Sequence, residues 1–324
     1  MSPFLDKERY DAHQWLNALH SGLLVGGIGT IMVVSAYLLG GWIGIAAALC
    51  LIAVTGILAP RIAPEHVMRI YRGQYVDPQR GGQLGRIVEI LADRAELAAH
   101  PRLYVIPSLA LNAFATGTPG HAAIAVTEGL LRRMSLREVA GVLAHEISHI
   151  RNNDLFVMSL ADAMSRLTQV MAYVAVGLAL LNIPAYLLDQ PLFPWSAIVL
   201  LYLAPTAASL LQLALSRSRE FDADMEAAGL TGDPLGLASA LSSIERHQGR
   251  FWEDLALPVP ARRIPQPSVL RSHPETSERV ERLKGVAVHP GTAPISFPDE
   301  PMFTMVGVGP AEMRPRFRWP GIWY

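Results

Sequence analysis

The sequence predicts a mainly α-helical membrane protein with about four transmembrane helices and a polar α+β part carrying a small sheet with an edge strand. Three observations predict it. The 324-residue chain is 51% hydrophobic and only 17% charged, with a mean hydropathy of +0.28. Two long uncharged stretches are each divided by a turn signal. Between and after them lie polar segments with helix and strand periodicity.

No Asp, Glu, Lys or Arg occurs from Ala12 to Pro60. A bilayer core of ~30 Å takes about 20 apolar residues per helix. This run therefore fits two spans with a tight turn at Gly40-Gly41. It is too long for a cleaved signal peptide, and the residues before it are too polar. The second stretch is uncharged from Leu167 to Leu188 and again from Ser196 to Ser216, with the break NIPAYLLDQPLFPW between. Pro205 lies inside the last span and is expected to kink it, which membrane helices tolerate where neighbours satisfy the freed carbonyl.

Orientation follows from the cations. Lys7 and Arg9 precede the first hairpin, and Arg61, Arg69, Arg72, Arg80 and Arg86 follow it. Arg217 and Arg219 follow the second, while neither hairpin tip holds Lys or Arg. Lys and Arg accumulate on the cytoplasmic side, so both termini and everything between the hairpins are expected there. A net charge of -1 offers nucleic acid no bulk attraction. The single cysteine, Cys50, can form neither an internal disulfide nor a cysteine-based zinc site.

The polar segments read as follows. Residues 61–80 are a linker or interfacial helix, and 83–98 show apolar residues at helical spacing. LYVIPS (103–108) is a strand. NAFATG (112–117) and HAAIAVT (121–127) flank the turn signal TPG and suggest a hairpin. EGLLRRM (128–134) is a short helix. Ser135 with Glu138 forms a capping box that starts a helix over 136 to about 152. SRSREFDADMEAAGL continues the fourth span as helix to near Gly229, and DPLGLASALSSIERH is an amphipathic helix. A proline-rich loop over 257–272 leads to a second capping box, Ser272 with Glu275, and a last short helix. The proline-rich tail, 287–324, shows no periodicity.

His145-Glu146-Ile147-Ser148-His149 is an H-E-x-x-H motif inside the helix that Ser135 caps. Residues four apart share a helix face, so both imidazoles can reach one metal ion. Glu146 projects beside them, where it can take a proton from an activated water as catalytic base. The bland alternative is a pair of core histidines with local hydrogen bonds. Zinc with two histidines needs a third protein ligand. Glu220 as ligand, with Asp224 one turn on as the carboxylate that orients a histidine, is coherent. Spacing alone also allows Asp222 or Asp224 as the ligand, or surface charge paired with Arg217 or Arg219. Asp154 reads as a local ion-pair partner of Arg151. The remaining histidines have no partner at ligand spacing.

NAFATG, HEISHIRNND, SRSREFDAD and HPETSER, in this order with hairpins before and between, resemble the HtpX-type membrane zinc metallopeptidases over about residues 15–285. The CAAX prenyl endopeptidases are more distant relatives with more spans. The resemblance implies a cytoplasmic gluzincin domain and one Zn²⁺ per chain, held by His145, His149 and Glu220 and supported by Asp224. It implies His273 and Arg279 near the bound peptide, His273 helping to hold the oxyanion. It also implies a substrate paired along the edge strand at Asn112, Ala113, Phe114 and Ala115. Such strand addition gives main-chain hydrogen bonds with little sequence preference.

These readings divide the chain into 1–60 (tail and first hairpin), 61–160 (first catalytic part), 161–216 (second hairpin), 217–286 (second catalytic part) and 287–324 (tail). They predict a zinc-dependent endopeptidase, multi-pass in a bacterial cytoplasmic membrane. Its partners would be the bilayer and protein substrates, chiefly misfolded or membrane proteins, with no nucleic acid. The competing reading is an inactive membrane holdase or scaffold on the same fold. It is disfavoured because a chain without the chemistry could lose any of the four site residues.

Overall fold

The computed structural model describes residues 7–58, 63–77, 81–190, 192–254, 276–286 and 295. Helix α1 spans Lys7–Leu58, with non-helical backbone at Gly40 (φ −141°, ψ 16°) and Gly41 (φ 55°, ψ −136°). Gly41 takes a positive φ that glycine reaches without a Cβ clash. The helix reverses here. A Cβ placed on Gly29 would touch Ile52 at 4.0 Å, and one on Gly44 would overlap the Ala36 carbonyl oxygen at 2.0 Å. The two arms therefore lie side by side, as the double glycine predicts.

The linker holds helix α2 (Pro64–Ile70) and a short strand, β1 (Gln74–Val76). The sequence reading missed β1, because three residues are too few to show alternation. Helix α3 (Gly82–Arg94) ends before the expected 98, where Glu96 turns to φ 53°. Strands β2 (Arg102–Ile106), β3 (Ala113–Thr118) and β4 (His121–Thr127) follow, at the expected places. The sheet order is β1-β2-β4-β3. β2 runs parallel to β4, while β1 pairs with β2 and β3 with β4 antiparallel. β3 is thus an edge.

Thr127 ends β4 and caps helix α4 (Glu128–Arg133). Its hydroxyl donates to the Ala110 carbonyl (2.6 Å) and accepts from the Asn112 N–H (3.0 Å), fixing where β3 begins. Helix α5 (Leu136–Arg151) starts at the capping box read from sequence. Ser135 Oγ accepts from the Glu138 N–H, and Glu138 Oε2 accepts from the Ser135 N–H (2.9 Å). Every residue of α5 from Val139 to Ile150 is buried, so this helix is the centre of the polar part.

Helices α6 (Asp154–Leu187) and α7 (Trp195–Thr231) form the second hairpin. Its turn is closed by the buried Asn182, which donates to the Phe193 carbonyl (3.0 Å) and accepts from the N–H groups of Leu192 (2.9 Å) and Phe193 (3.0 Å). The helical backbone of α7 continues through Pro205. Ile28 and Met32 of α1, Leu160 and Met164 of α6, and Ala208 of α7 make one apolar cluster. At Gly27 a Cβ would meet Leu211 at 2.4 Å, so the small residue sets the approach of α1 to α7. Among the described residues, three helical segments are long and apolar enough to cross a membrane: Val25–Val54, Asp154–Leu187 and Trp195–Gln212. Ile43, Leu180 and Leu187 are among the large apolar side chains that these helices expose. Faces this apolar are those of a membrane protein.

Helix α8 (Pro234–Asp254) packs on α5, and α9 (Thr276–Lys284) packs on α7 and α8. A Cβ on Gly141 would lie 2.8 Å from the backbone of Leu237, so α5 and α8 touch main chain to main chain there. The core joins Ile87 and Leu91 of α3, Ile124 and Val126 of β4, Leu143 and Ile147 of α5, and Leu283 of α9. Leu143 and Ile147 point into this core, which leaves His145, Glu146 and His149 to face α7 and β3. The loop 257–272, the cap at Ser272, His273 and, apart from residue 295, the tail 287–324 lie outside the described residues.

Candidate metal centre and active site

The helical turn of α5 brings His145 Nε2 to 3.2 Å from His149 Nε2. Glu220, from the polar end of α7, completes the cluster. Its Oε2 lies 3.4 Å from His145 Nε2, and its Oε1 lies 3.8 Å from His149 Nε2. Glu220 is fully buried, as is His149. The remaining length of α5 is fastened to α7 through Glu226, which accepts from Ser148, Arg151 and Asn152. That contact keeps the two imidazoles in register with Glu220.

This set fits a metal ion. Four-coordinate zinc binds nitrogen and oxygen at ~2.0–2.1 Å, which separates neighbouring ligands by about 3.3 Å. The three observed separations bracket that value, and the ligand atoms all lie within 4.8 Å of one another. Formal charge agrees. The buried carboxylates here are Glu146, Asp154, Glu220 and Asp224, against the guanidiniums of Arg219 and Arg279. The excess of negative charge is what a divalent cation would balance.

Both imidazoles are braced from behind. Asp224 Oδ1 lies 3.0 Å from His145 Nδ1. Asp154 Oδ2 lies 3.1 Å from His149 Nδ1. Asp224 is itself gripped by Arg279, whose Nε and a terminal nitrogen both donate at 2.6 Å. Another Arg279 nitrogen is 3.3 Å from Glu220. Arg219 lies 3.6 Å from Asp154.

Burial alone would lower the His145 pKa, but hydrogen bonds to Asp224 and Glu220 outweigh it and push the imidazole up to about 10. Burial also lowers His149, and the bond to Asp154 with the charge of Glu220 reverses it. Burial raises the Asp224 carboxyl, yet its bonds to Arg279 and His145 hold it below the ordinary 3.8. The metal-free site thus attracts positive charge.

Glu146 Oε2 accepts from the Ala115 N–H at 2.9 Å. This bond sets the parity of β3. Ala115 turns its N–H away from β4, so alternation turns those of Ala113 and Gly117 to the same open edge. Phe114 is different: its side chain is buried on the other side of the sheet with Met68, Tyr104 and Ile106, and against the Tyr71 ring. It faces away from the site, so of the expected substrate contacts it offers none by its side chain. Asn112 is held by Thr127 at the strand's start.

Two other residues acquire contacts that the local sequence does not mark. Arg279, expected beside the bound peptide, is 3% exposed with its donors on Asp224 and Glu220. Its guanidinium grips the carboxylate that backs His145 and faces that of Glu220. Asp154, expected to pair with Arg151, is turned to His149 and Arg219, while Arg151 pairs with Glu226. Sequence reasoning named Asp154 and Arg219 only as ion-pair partners of other residues. The signal was present in Asp154, five residues after His149 where the helix must break at Asn153-Asp154. Only Asn153's φ of 56° shows how the chain turns the carboxylate back.

A family model described as Peptidase family M48 matches residues 78–287. The chain belongs to this family. The protease HtpX homolog of Acaryochloris marina is 39% identical over 282 residues, 83% of this chain and 94% of that protein. The protease HtpX homolog of Desulfatibacillum aliphaticivorans is 33% identical over 287 residues, covering 86% and 92%. The crystal structure of S. mikatae Ste24p is 21% identical, covers 84% of this chain and 67% of that one, and superposes with a TM-score of 0.48. As an M48 peptidase with apolar helices of membrane length, the chain is a membrane metallopeptidase that hydrolyses peptide bonds of peptides or proteins. The family implies a metal cofactor, and the buried His145, His149 and Glu220 cluster can hold one.

Proposed function

We propose that this M48 peptidase is a zinc-dependent endopeptidase of the bacterial cytoplasmic membrane that cuts misfolded or membrane proteins on the cytoplasmic side. The observation that carries the reading is the buried triad of His145, His149 and Glu220 beside Glu146, on the edge of the sheet. Zinc bound there would supply Lewis acidity, lowering the pKa of a water towards ~7. Glu146 takes the proton of the attacking water and gives it to the leaving amine. Asp224 holds His145 in place, and Arg279 holds Asp224. Ala113, and Ala115 through its carbonyl, offer main-chain groups at the strand edge to an extended substrate. His273 is assigned to the oxyanion by the family resemblance.

The division at residues 60, 160, 216 and 286 is kept. Four spans are favoured over three because α1 folds back at Gly40-Gly41. The cytoplasmic placement rests on Lys and Arg: both hairpin tips lack them, and the flanks between and after hold them. Alkaline phosphatase fused at residue 41 or 190 should be active, and inactive when fused at 134. The reverse pattern would invert the topology.

The deciding test of function is cleavage of a flexible membrane protein by the full chain in detergent. Zinc-loaded wild type, Glu146→Gln and a chelated sample are compared. Cutting only by the metal-loaded wild type supports the reading. If all three leave every substrate whole while zinc binds, the holdase reading takes its place.

A further inference from the structure

The two imidazoles of the site are supported in parallel, and only one support is legible in the sequence. His145 rests on Asp224, which rests on Arg279. His149 rests on Asp154, at 3.1 Å, and Asp154 faces Arg219 at 3.6 Å. All of these residues are buried. Neutral imidazole carries one proton on one of its two nitrogens. A carboxylate against Nδ1 selects the tautomer that bears its proton there, leaving the Nε2 lone pair for the cluster at 3.2 Å from His145 Nε2.

We infer that Asp154 is the positioning residue of His149, fixing its ring and tautomer so that Nε2 is presented as a metal ligand, with Arg219 as the anchor of Asp154. This rests on the proposed metal reading of His145, His149 and Glu220. The architecture gives the role a further meaning. Asp154 is the first residue of α6, an apolar helix of membrane length. Arg219 directly precedes Glu220 on α7, the other long helix of that hairpin. The ligand set is therefore clamped by the polar ends of both helices of the second hairpin. Asn153, with φ 56°, is the turn that lets α6 leave α5 while returning its first carboxylate to His149. Arg151, two residues earlier, is engaged by Glu226 on α7.

The test is zinc affinity of the full chain in detergent, measured by competition with a chromophoric chelator, together with the visible spectrum of the cobalt-substituted protein. Asp154→Asn keeps the size of the side chain. It should raise the zinc dissociation constant by about 10- to 100-fold, the usual loss when such an outer carboxylate is removed, and should alter the cobalt spectrum. Melting of the metal-free variant beside metal-free wild type separates this from unfolding. If Asp154→Asn does not fold, Asp154→Glu replaces it. That variant keeps a charge opposite Arg219 but displaces the carboxylate from Nδ1, so weaker zinc binding is still expected. A folded variant with wild-type zinc affinity and an unchanged cobalt spectrum overturns the inference. His149→Ala and Glu220→Gln run in parallel. If they too bind zinc like wild type, the metal reading itself falls, a failure distinct from that of Asp154 alone.

Discussion

The carboxylate of Glu146 accepts a hydrogen bond from the backbone N–H of Ala115 at 2.9 Å, which joins the acidic residue of the motif helix to the sheet's edge strand. One contact thus fixes both where the base sits and which main-chain groups of β3 face outward. It also explains why the edge strand and the motif helix must be built as one unit.

Removing that donor should be felt in turnover. Ala115→Pro deletes the N–H without touching a side chain that the site uses. Hydrogen bonds to charged groups contribute about 1.5–3 kcal/mol, so kcat/KM is expected to fall roughly 10- to 150-fold. Ala115→Gly keeps the N–H and should stay near wild type. Steady-state cleavage with zinc affinity measured alongside decides it; equal activity of both variants would separate the bond from catalysis.

The Asp224–Arg279 pair should act on stability. Arg279→Met leaves Asp224 buried without its bidentate partner, a loss of about 3–5 kcal/mol. Arg279→Lys keeps the charge but not the fork, so it should recover only part. The sign with pH follows from Asp224, whose carboxyl is held below 3.8 in the fold. Its contribution is present above 3.8 and is lost as pH falls through the lower folded value. Acid unfolding of Arg279→Met should therefore begin at higher pH than that of wild type, as followed by circular dichroism.

Metal uptake should release protons. His145 in the metal-free protein is pushed up to about 10, and a ligand imidazole must be neutral. At pH 7 zinc binding is expected to expel about one proton or more, and affinity should rise with pH towards 10. Calorimetry in buffers of different ionisation enthalpy measures this directly. In the metal-free protein the same raised value stabilises the fold fully below 6.5 and is lost as pH rises through about 10. Melting of chelated protein should decline across that window.

Gly141 should tolerate little. A side chain there meets the Leu237 backbone, which cannot swing aside as a side-chain tip could. Gly141→Val is expected to cost about 1–3 kcal/mol by overpacking the α5–α8 contact. Thermal melting of the zinc-loaded protein checks it, with Gly120→Val as comparison, since a Cβ on Gly120 meets nothing within 4 Å.

Much of this protein is determined by local sequence. The Ser135–Glu138 box starts α5 where the two residue types require it, and the four-residue spacing then puts His145 and His149 on one face. Gly40-Gly41 marks the reversal of α1, and the turn signal TPG at 118–120 marks the β3–β4 hairpin. These follow from periodicity, caps and turns, which act over a few residues. Contacts between segments distant in the chain carry no such mark. Spacing left Asp222 and Asp224 open beside Glu220; only the packing of α7 against α5 aims Glu220 at both imidazoles and Asp224 at the back of one. Likewise, nothing in the local sequence pairs Arg279 with Asp224 and Glu220; only the packing of α9 on α7 buries it on those two carboxylates. Asp154 had a nearby cation in sequence, yet the turn at Asn153 gives it to His149 instead. Local rules place the ligating atoms on their elements; the burial of charge that tertiary packing imposes decides which of them must meet.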